Sequence, residues 1–451
     1  MKLTQAIRGI KEENLSPLDL AREALDAVDR ENRELNALIT VCEEEALEEA
    51  ALLTREQDEG RLRGPLHGIP VVVKDMIETK GIRTTMGAKI FESFIPDEDA
   101  AVVRRLRDAG AIIIGKANTH EFAYGPTGDV SHFGPVRNPY DREKISGGSS
   151  SGSAAAVASG MAIAGIGTDT GGSVRIPSSA CGLTGMKPTF GRISKRGIFP
   201  LADTLDHPGP ITDGVEANAV LLNVLSGYDP ADPHSLNETP PDFTAELHLG
   251  IEGMTIGLPA PYYKDIDPEI ESAVRHAADR FRSLGASVID VGIPAMPDIM
   301  HAQMVTIQAE AAAVHRQLME EQPDGYSPEV LARIAESVKL QAWNYVQVQQ
   351  KRQRLADAYN EVFEQADVLL APTLPILPTD IGQRVVTVNG KGMDVVPSLL
   401  RLTSPTNFTG NPSLSVPCGF SETGLPIGMQ LIGRHGEEEK LYRFGHAFEQ
   451  L

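Results

Sequence analysis

The sequence predicts an α/β fold, built as one large unit with helices on both faces of a sheet. Three stretches carry this reading. "HGIPVVVKD" sets a β-branched run, Val71 to Val73, between Pro70 and Lys74. "DAAVVRRLRDAGAIIIGKAN" follows as a helix, a stop at Gly110 and a buried strand from Ala111 to Ile114. The alternation returns late in the chain, where "GMTIGLPA", a helix and "SVIDVGIP" succeed one another. Strand, helix, strand in this order is the pattern of a parallel sheet.

Taken in order, residues 1–60 read as an N-terminal helical cover, helical from Leu3 to about Gly60. Within it Ser16 is an N-cap, Pro17 occupies the first helical position and Asp19 sits in the first turn. In the second half Ile270, Val274, Ala277, Ala278, Phe281 and Leu284 share one helix face, and Gly285 ends that helix. Helical patterns resume from about His301 to Gln365. "ADVLLAPTLPILP" reads as a strand entering a Pro-rich loop, and "SLSVPCG" and "PIGMQLIG" as late strands. No internal repeat, low-complexity linker or composition break divides residues 1–451, so a single domain is expected.

Composition narrows the classes of function. Hydrophobic residues at 41% and charged residues at 23% describe an ordinary globular chain, not a disordered or disulfide-built one. With 41 Lys and Arg against 62 Asp and Glu, the formal charge of −21 repels phosphate backbones. Direct nucleic-acid binding is therefore not expected, and anionic membranes are disfavoured too. Cys42, Cys181 and Cys418 are odd in number and widely spaced, which fits a reducing, cytoplasmic location. The opening "MKLTQAIRGIKEENLSPLDL" reads as an amphipathic helix without the apolar run of an export signal. Residues 145–168 are uncharged, but their Ser and Gly content supplies too little transfer energy for a membrane span.

That uncharged stretch carries the chemistry. It leads through "ISGGSSSGSAAAVASGMAIAGIGTDTGGSVRIPSSACG", with Gly-Gly-Ser triplets ending at Ser149 and Ser173. Paired glycines before a serine expose main-chain N–H groups and present a hydroxyl on a tight turn, as an oxyanion site requires. A phosphate cradle fits poorly, because neither GxxxxGK[ST] nor GxGxxG with its partner acid is present. A flexible linker fits poorly as well, since "AAAVASGMAIAGIG" is apolar and Asp169 and Arg175 are set singly among uncharged residues. A serine nucleophile needs a base. There is no GxSxG elbow, and His120 and His132 read as solvated or locally hydrogen-bonded loop residues. Lys74 stands directly behind three valines. At a buried strand end, desolvation lowers a lysine from about 10.4 and frees a neutral amine; a strand-end lysine reaching water is the other reading.

"GIPVVVKD", "GKANTHEFAYG", "NPYDREKISGGSSSGSAAAVASG" and "GTDTGGSVRIPSSACGLTGMKPTFGRIS" together resemble the amidase signature family, serine hydrolases with a Ser–Ser–Lys triad. The densest resemblance runs from about Gly64 to Thr212, and "TNFTGNPSLSVPCGFSETGLPIGMQLIG" is similar to the family's C-terminal segment. The resemblance implies a large mixed central sheet covered by helices on both faces. Residues 64–212 would form the signature core and 213–451 complete the sheet and pocket.

It also implies roles. Ser173 is the nucleophile, Ser149 the bridging serine after a cis peptide, and Lys74 the general base. Backbone N–H groups of Thr170, Gly171, Gly172 and Ser173 form the oxyanion hole. Asp169 and Arg175 brace that loop, against the alternative of an ordinary surface ion pair. No metal or organic cofactor is implied. Ala123 and Tyr124 are placed at the substrate pocket, with packing an equal role for Tyr124, and Phe122 in the core. Trp343 and the helices over 300–360 shape the leaving-group side; His301, Gln308 and His315 either enter that cavity or lie solvated. Cys181, in uncharged "SSACG", reads as an inert core thiol.

The activity so implied is hydrolysis of a small-molecule amide, extending to esters or carbamates, with a homodimer left open. The main competitor is the glutamine-hydrolysing A subunit of glutamyl-tRNA amidotransferase. Where that competitor has an Asn-rich, Tyr-Asp-Gly stretch and a Met-Asp-Glu-Phe pattern, this chain has "MVTIQAEAAAVHRQLM" and "THEFAYG". A stand-alone amidase is the expectation. A catalytically dead scaffold would lack a triad member, and all three are present.

Overall fold

The computed structural model describes residues 1–12 and 14–451. The N-terminal cover begins with helices α1 (Leu3–Lys11) and α2 (Pro17–Leu35). Ser16 caps α2, its Oγ accepting from the Asp19 N–H at 3.1 Å, with Pro17 in the first turn as expected. The cover is not wholly helical. Asn36 ends α2 in the left-handed region (φ 55°), and strand β1 (Leu38–Val41) follows before helix α3 (Glu43–Asp58). Four residues are too few to show a period of two, which is why the helical pattern ran straight through them.

Strand β2 (Pro70–Lys74) is buried along its length, then helix α4 (Ala101–Asp108) and Gly110, at φ 86°, lead into β3 (Ile112–Ala117). Helix α5 (Ser151–Ala158) and strand β4 (Ala164–Asp169) occupy the uncharged stretch. After them come α6 (Arg175–Ala180), β5 (Thr184–Lys187), β6 (His207–Thr212) and α7 (Val215–Leu225). The second half contributes β7 (Thr255–Pro259), α8 (Pro268–Ser283), β8 (Ser287–Val291) and the helices α9 (Met296–Glu321), α10 (Pro328–Ser337) and α11 (Ala342–Asn360). Beyond these lie β9 (Val368–Pro372), the hairpin β10 (Val385–Val388) and β11 (Lys391–Asp394), and helices α12 (Val395–Leu400) and α13 (Pro405–Thr409). Strands β12 (Ser413–Phe420) and β13 (Pro426–Ile432) precede the closing helix α14 (Glu438–Glu449).

Among the described residues, eleven strands form one sheet in the order β1-β3-β2-β4-β6-β5-β12-β13-β9-β7-β8. Parallel pairing is confined to two places, β3-β2-β4 and β9-β7-β8. These are the stretches whose strand–helix–strand alternation was legible. The remaining neighbours run antiparallel, so the sheet is mixed, as the family resemblance implied, and not the parallel sheet of the local pattern.

Helices cover both faces. On β2 and β3 the alternation of side chains sends Val72, Ile112 and Ile114 toward α2, α3 and α5. Val71, Val73 and Ile113 go the other way, into a core shared with α4, α7, α8 and α14. A third cluster packs β9 and β13 against α9 and α11. Among the described residues, no helix is long and apolar enough to cross a membrane.

Candidate active site

β2 and β4 are parallel neighbours, with Val73 opposite Ile166, so their C-terminal ends open at the same edge of the sheet. Lys74 closes β2 and is fully buried. Its Nζ lies 2.7 Å from Ser149 Oγ and 2.7 Å from Thr168 Oγ1 of β4. Burial pushes the Lys74 ammonium down to about 7, against the opposing pull of the Asp206 and Asp169 charges. The reading of a strand-end lysine reaching water is thereby excluded. Ser149 enters from the loop before α5, after a cis Gly148–Ser149 peptide. Ser150 pins that loop to β4: its Oγ donates to the Thr168 carbonyl at 3.1 Å and accepts the Thr168 N–H at 3.2 Å.

The second Gly-Gly-Ser triplet forms the turn between β4 and α6. Gly172 adopts φ +134°, and a Cβ there would stand 2.2 Å from Thr403 Oγ1, so glycine is required on both counts. Asp169 ties the turn together. Its carboxylate accepts the N–H groups of Gly172 (2.8 Å) and Val174 (3.1 Å), and from the Arg175 side chain Nε–H and Nη2–H (each 3.0 Å). Arg175 is fully buried and also donates to Thr406 Oγ1 and Asn407 Oδ1, both at 2.8 Å. Burial favours the protonated carboxyl of Asp169, but the Arg175 charge and hydrogen bonds, with that of Asn407, outweigh it and hold the group well below the usual carboxylate range. The pair is thus a buried brace and no surface ion pair.

One expectation changes. The Gly172 N–H, expected in the oxyanion hole, is taken by Asp169 Oδ1, because the carboxylate curls back over its own turn. The amides of Thr170, Gly171 and Ser173 find no acceptor among the described residues. A further carboxylate anchors this turn: Thr170 Oγ1 donates to Asp206 Oδ1 at 2.5 Å, and the N–H groups of Leu201 and Ala202 donate to Asp206 Oδ2. Burial lifts Asp206 to about 6, partly offset by these hydrogen bonds and by Lys195.

Ser173, 5% exposed, opens on a cavity of about 240 Å³ walled by Ala123, Tyr124, Leu201, Gln303 and Ile307. Ser173 Oγ takes part in no hydrogen bond among the described residues. Both roles considered for Tyr124 are present, since it lines the cavity while its Oη sits 3.0 Å from Ser337 Oγ. Phe122 is core, as expected. Gln308 lies on the cavity wall, but His301 is exposed and His315 is neither in the cavity nor solvated. His315 is buried, its ring 4.7 Å from that of Phe122 and its Nδ1 3.0 Å from Tyr326 Oη, because α9 turns it into the aromatic cluster. Trp343, 62% exposed at the start of α11, does not line the cavity.

His120 is buried rather than solvated, its Nδ1 accepting the Gly128 N–H at 3.3 Å, and desolvation lowers it to about 3. His132 lies near the surface and pairs with Glu92 at 3.2 Å. Cys181 is buried, and burial raises its thiol far above the ordinary range.

Sequence reasoning missed Thr168, Asp206, Gln303 and Asn407. Thr168 falls inside the quoted "GTDTGGS" motif and Asn407 within "TNFTGNPS", so both had a signal. Asp206 and Gln303 had none.

The fold and this constellation define a hydrolase built on a serine-rich loop, and comparison with known proteins gives the family. The chain matches the family described as Amidase over residues 19–442 and belongs to it, among the amidase signature hydrolases acting on C–N bonds. It is 41% identical to an amidase of Pseudomonas putida, over 100% of this chain and 96% of that one. It is 37% identical to the A-type component of glutamyl-tRNA(Gln) amidotransferase from Geobacter sp. (strain M21), over 98% of this chain and 95% of that one. Among solved structures, it superposes with TM-score 0.96 and 35% identity on a chain from a vestigial protein complex bearing on the evolutionary origins of an s-triazine catabolic enzyme. That match covers 100% of this chain and 98% of the other.

Proposed function

We propose that this protein hydrolyses the C–N bond of small linear amides through an acyl-enzyme on Ser173, with Ser149 and Lys74 as a proton relay. The observation that carries the reading is the 2.7 Å approach of Lys74 Nζ to Ser149 Oγ in a site where burial brings the amine to about 7. At pH 8 Lys74 is mostly neutral and accepts a proton. Ser173 Oγ attacks the carbonyl carbon, its proton passes to Ser149, and the Ser149 proton passes to Lys74. The tetrahedral oxyanion takes hydrogen bonds from the amides of Thr170, Gly171 and Ser173, donors typically worth about two to three orders of magnitude in rate each. As the C–N bond breaks, the proton returns from Lys74 through Ser149 to the leaving amine. Water then cleaves the acyl ester by the same relay and restores Ser173. Esters and carbamates pass through an equivalent oxyanion and fall within the same chemistry.

Peptide mapping after labelling with a fluorophosphonate tests the assignment: the adduct is expected on Ser173, and an adduct elsewhere, or unchanged turnover in Ser173→Ala, overturns it. The glutamine-hydrolysing component of an amidotransferase is the second reading, favoured by the Geobacter relative. "THEFAYG" and "MVTIQAEAAAVHRQLM" support the stand-alone enzyme instead. Residues 1–451 are read as one catalytic unit, which the eleven-stranded sheet, drawing strands from both halves of the chain, supports.

A further inference from the structure

Gln303 stands out on the cavity wall. It is only 7% exposed, yet neither its Oε1 nor its Nε2 has a hydrogen-bond partner among the described residues. Gln303, Met304, Ile307 and Gln308 line the cavity together, the spacing of one face of α9. The Gln303 amide lies over the oxyanion turn: a Cβ placed on Gly171 would be 3.6 Å from Gln303 Nε2. Both amide atoms are thus open to the cavity and free to pair with a matching ligand group there.

Among the described residues, the only charged one on this wall is Arg333. Its guanidinium is already engaged, Nη1 donating to the Tyr124 carbonyl and Nη2 to Glu329 at 3.0 Å, with its Cζ 5.3 Å from the Tyr124 ring centroid. Glu329 is shared with Arg384, which Asp129 also pairs, so two carboxylates balance the two guanidiniums and the cavity offers an uncharged donor–acceptor pair in preference to a free cation. At about 240 Å³ the space is below the range of drug-sized ligand sites, which points to a short substrate.

We infer that Gln303 is a specificity-determining residue that reads a second, uncharged carboxamide close to the scissile amide, so that the preferred substrates are short dicarboxamides. The inference rests on the hydrolase reading above. The substrate carboxamide donates an N–H to Gln303 Oε1 and accepts from Gln303 Nε2, satisfying both atoms at once.

Three amides of matched length test it: succinamide, its half-acid succinamate, and 4-methylpentanamide, in which an isopropyl group replaces the second carboxamide. The wild-type protein is expected to favour succinamide over each of the others by at least about tenfold in kcat/KM. In Gln303→Met the succinamide to 4-methylpentanamide ratio is expected to fall by about the same factor, and Gln303→Leu provides an independent replacement should the first fold poorly. A wild-type ratio near one, a preference for succinamate, or a ratio unchanged in a folded Gln303 variant overturns the inference. Turnover of none of the three also overturns it; fluorophosphonate labelling of Ser173 then shows separately whether the hydrolase reading stands.

Discussion

Thr170 Oγ1 donates to Asp206 Oδ1 at 2.5 Å, which ties the turn proposed as the oxyanion site to a buried carboxylate immediately before β6. The same carboxylate is the largest influence that keeps the Lys74 ammonium from falling further, with Asp169 as the second. One side chain thus links the geometry of the turn to the basicity of Lys74 in the proposed relay.

Asp206→Asn separates these two effects. The Asn carbonyl oxygen can still accept the Leu201 and Ala202 N–H groups while its amide N–H donates to Thr170 Oγ1, and the negative charge is gone. Because that charge raises the Lys74 pKa, its loss moves the acid limb of kcat/KM below the wild-type position near pH 7. A purely structural role for Asp206 would lower activity with no displacement of the limb, and a pH series on one chromogenic anilide distinguishes the outcomes.

The wild-type limb itself is expected to rise through about pH 7 and level off above it, since the neutral amine is the active form in the proposed relay. Lys74→Ala removes the limb and lowers kcat/KM by about two to four orders of magnitude. Initial rates from about pH 5.5 to 9.5 provide the measurement; a limb persisting near pH 7 in the variant would assign it to another group.

Stability carries the same signature. The folded Lys74 sits near 7 and its ordinary value is 10.5, so between those pH values the unfolded chain binds the extra proton. This group therefore makes stability rise with pH across that window. Calorimetry at about pH 7 and 9.5 should show a smaller pH dependence for Lys74→Met, together with a higher Tm at pH 7, as the cost of a buried ammonium is removed.

Arg175→Met leaves the Asp169 carboxylate buried beside Gly172 and Val174 without its counter-charge. The expected loss is about 3–5 kcal/mol in denaturant unfolding. Asp169→Asn combined with Arg175→Met should cost less than the two single changes together, because no uncompensated charge remains.

The legible part of the fold was local. Val71 to Val73, the Gly110 stop and the α8 face all show their period within a short window, and each lies where expected. β5 and β6 did not, because short strands rich in Gly, Pro and Thr carry no clear alternation and gain their stability from neighbours in the sheet. The site divided in the same way. Lys74, Ser149 and Ser173 could be picked out because motifs mark them, whereas Asp206 and Gln303 belong to segments with no motif of their own.

Residue order thus specified which groups can do the chemistry and which segments are strands or helices, since those depend on side-chain type and short-range periodicity. Whether Lys74 meets Ser149 in a dry site, which amides of the turn stay unpaired, and what Gln303 faces depended on the packed molecule. Desolvation and hydrogen-bond competition are set by neighbours from distant parts of the chain, and no local pattern encodes them.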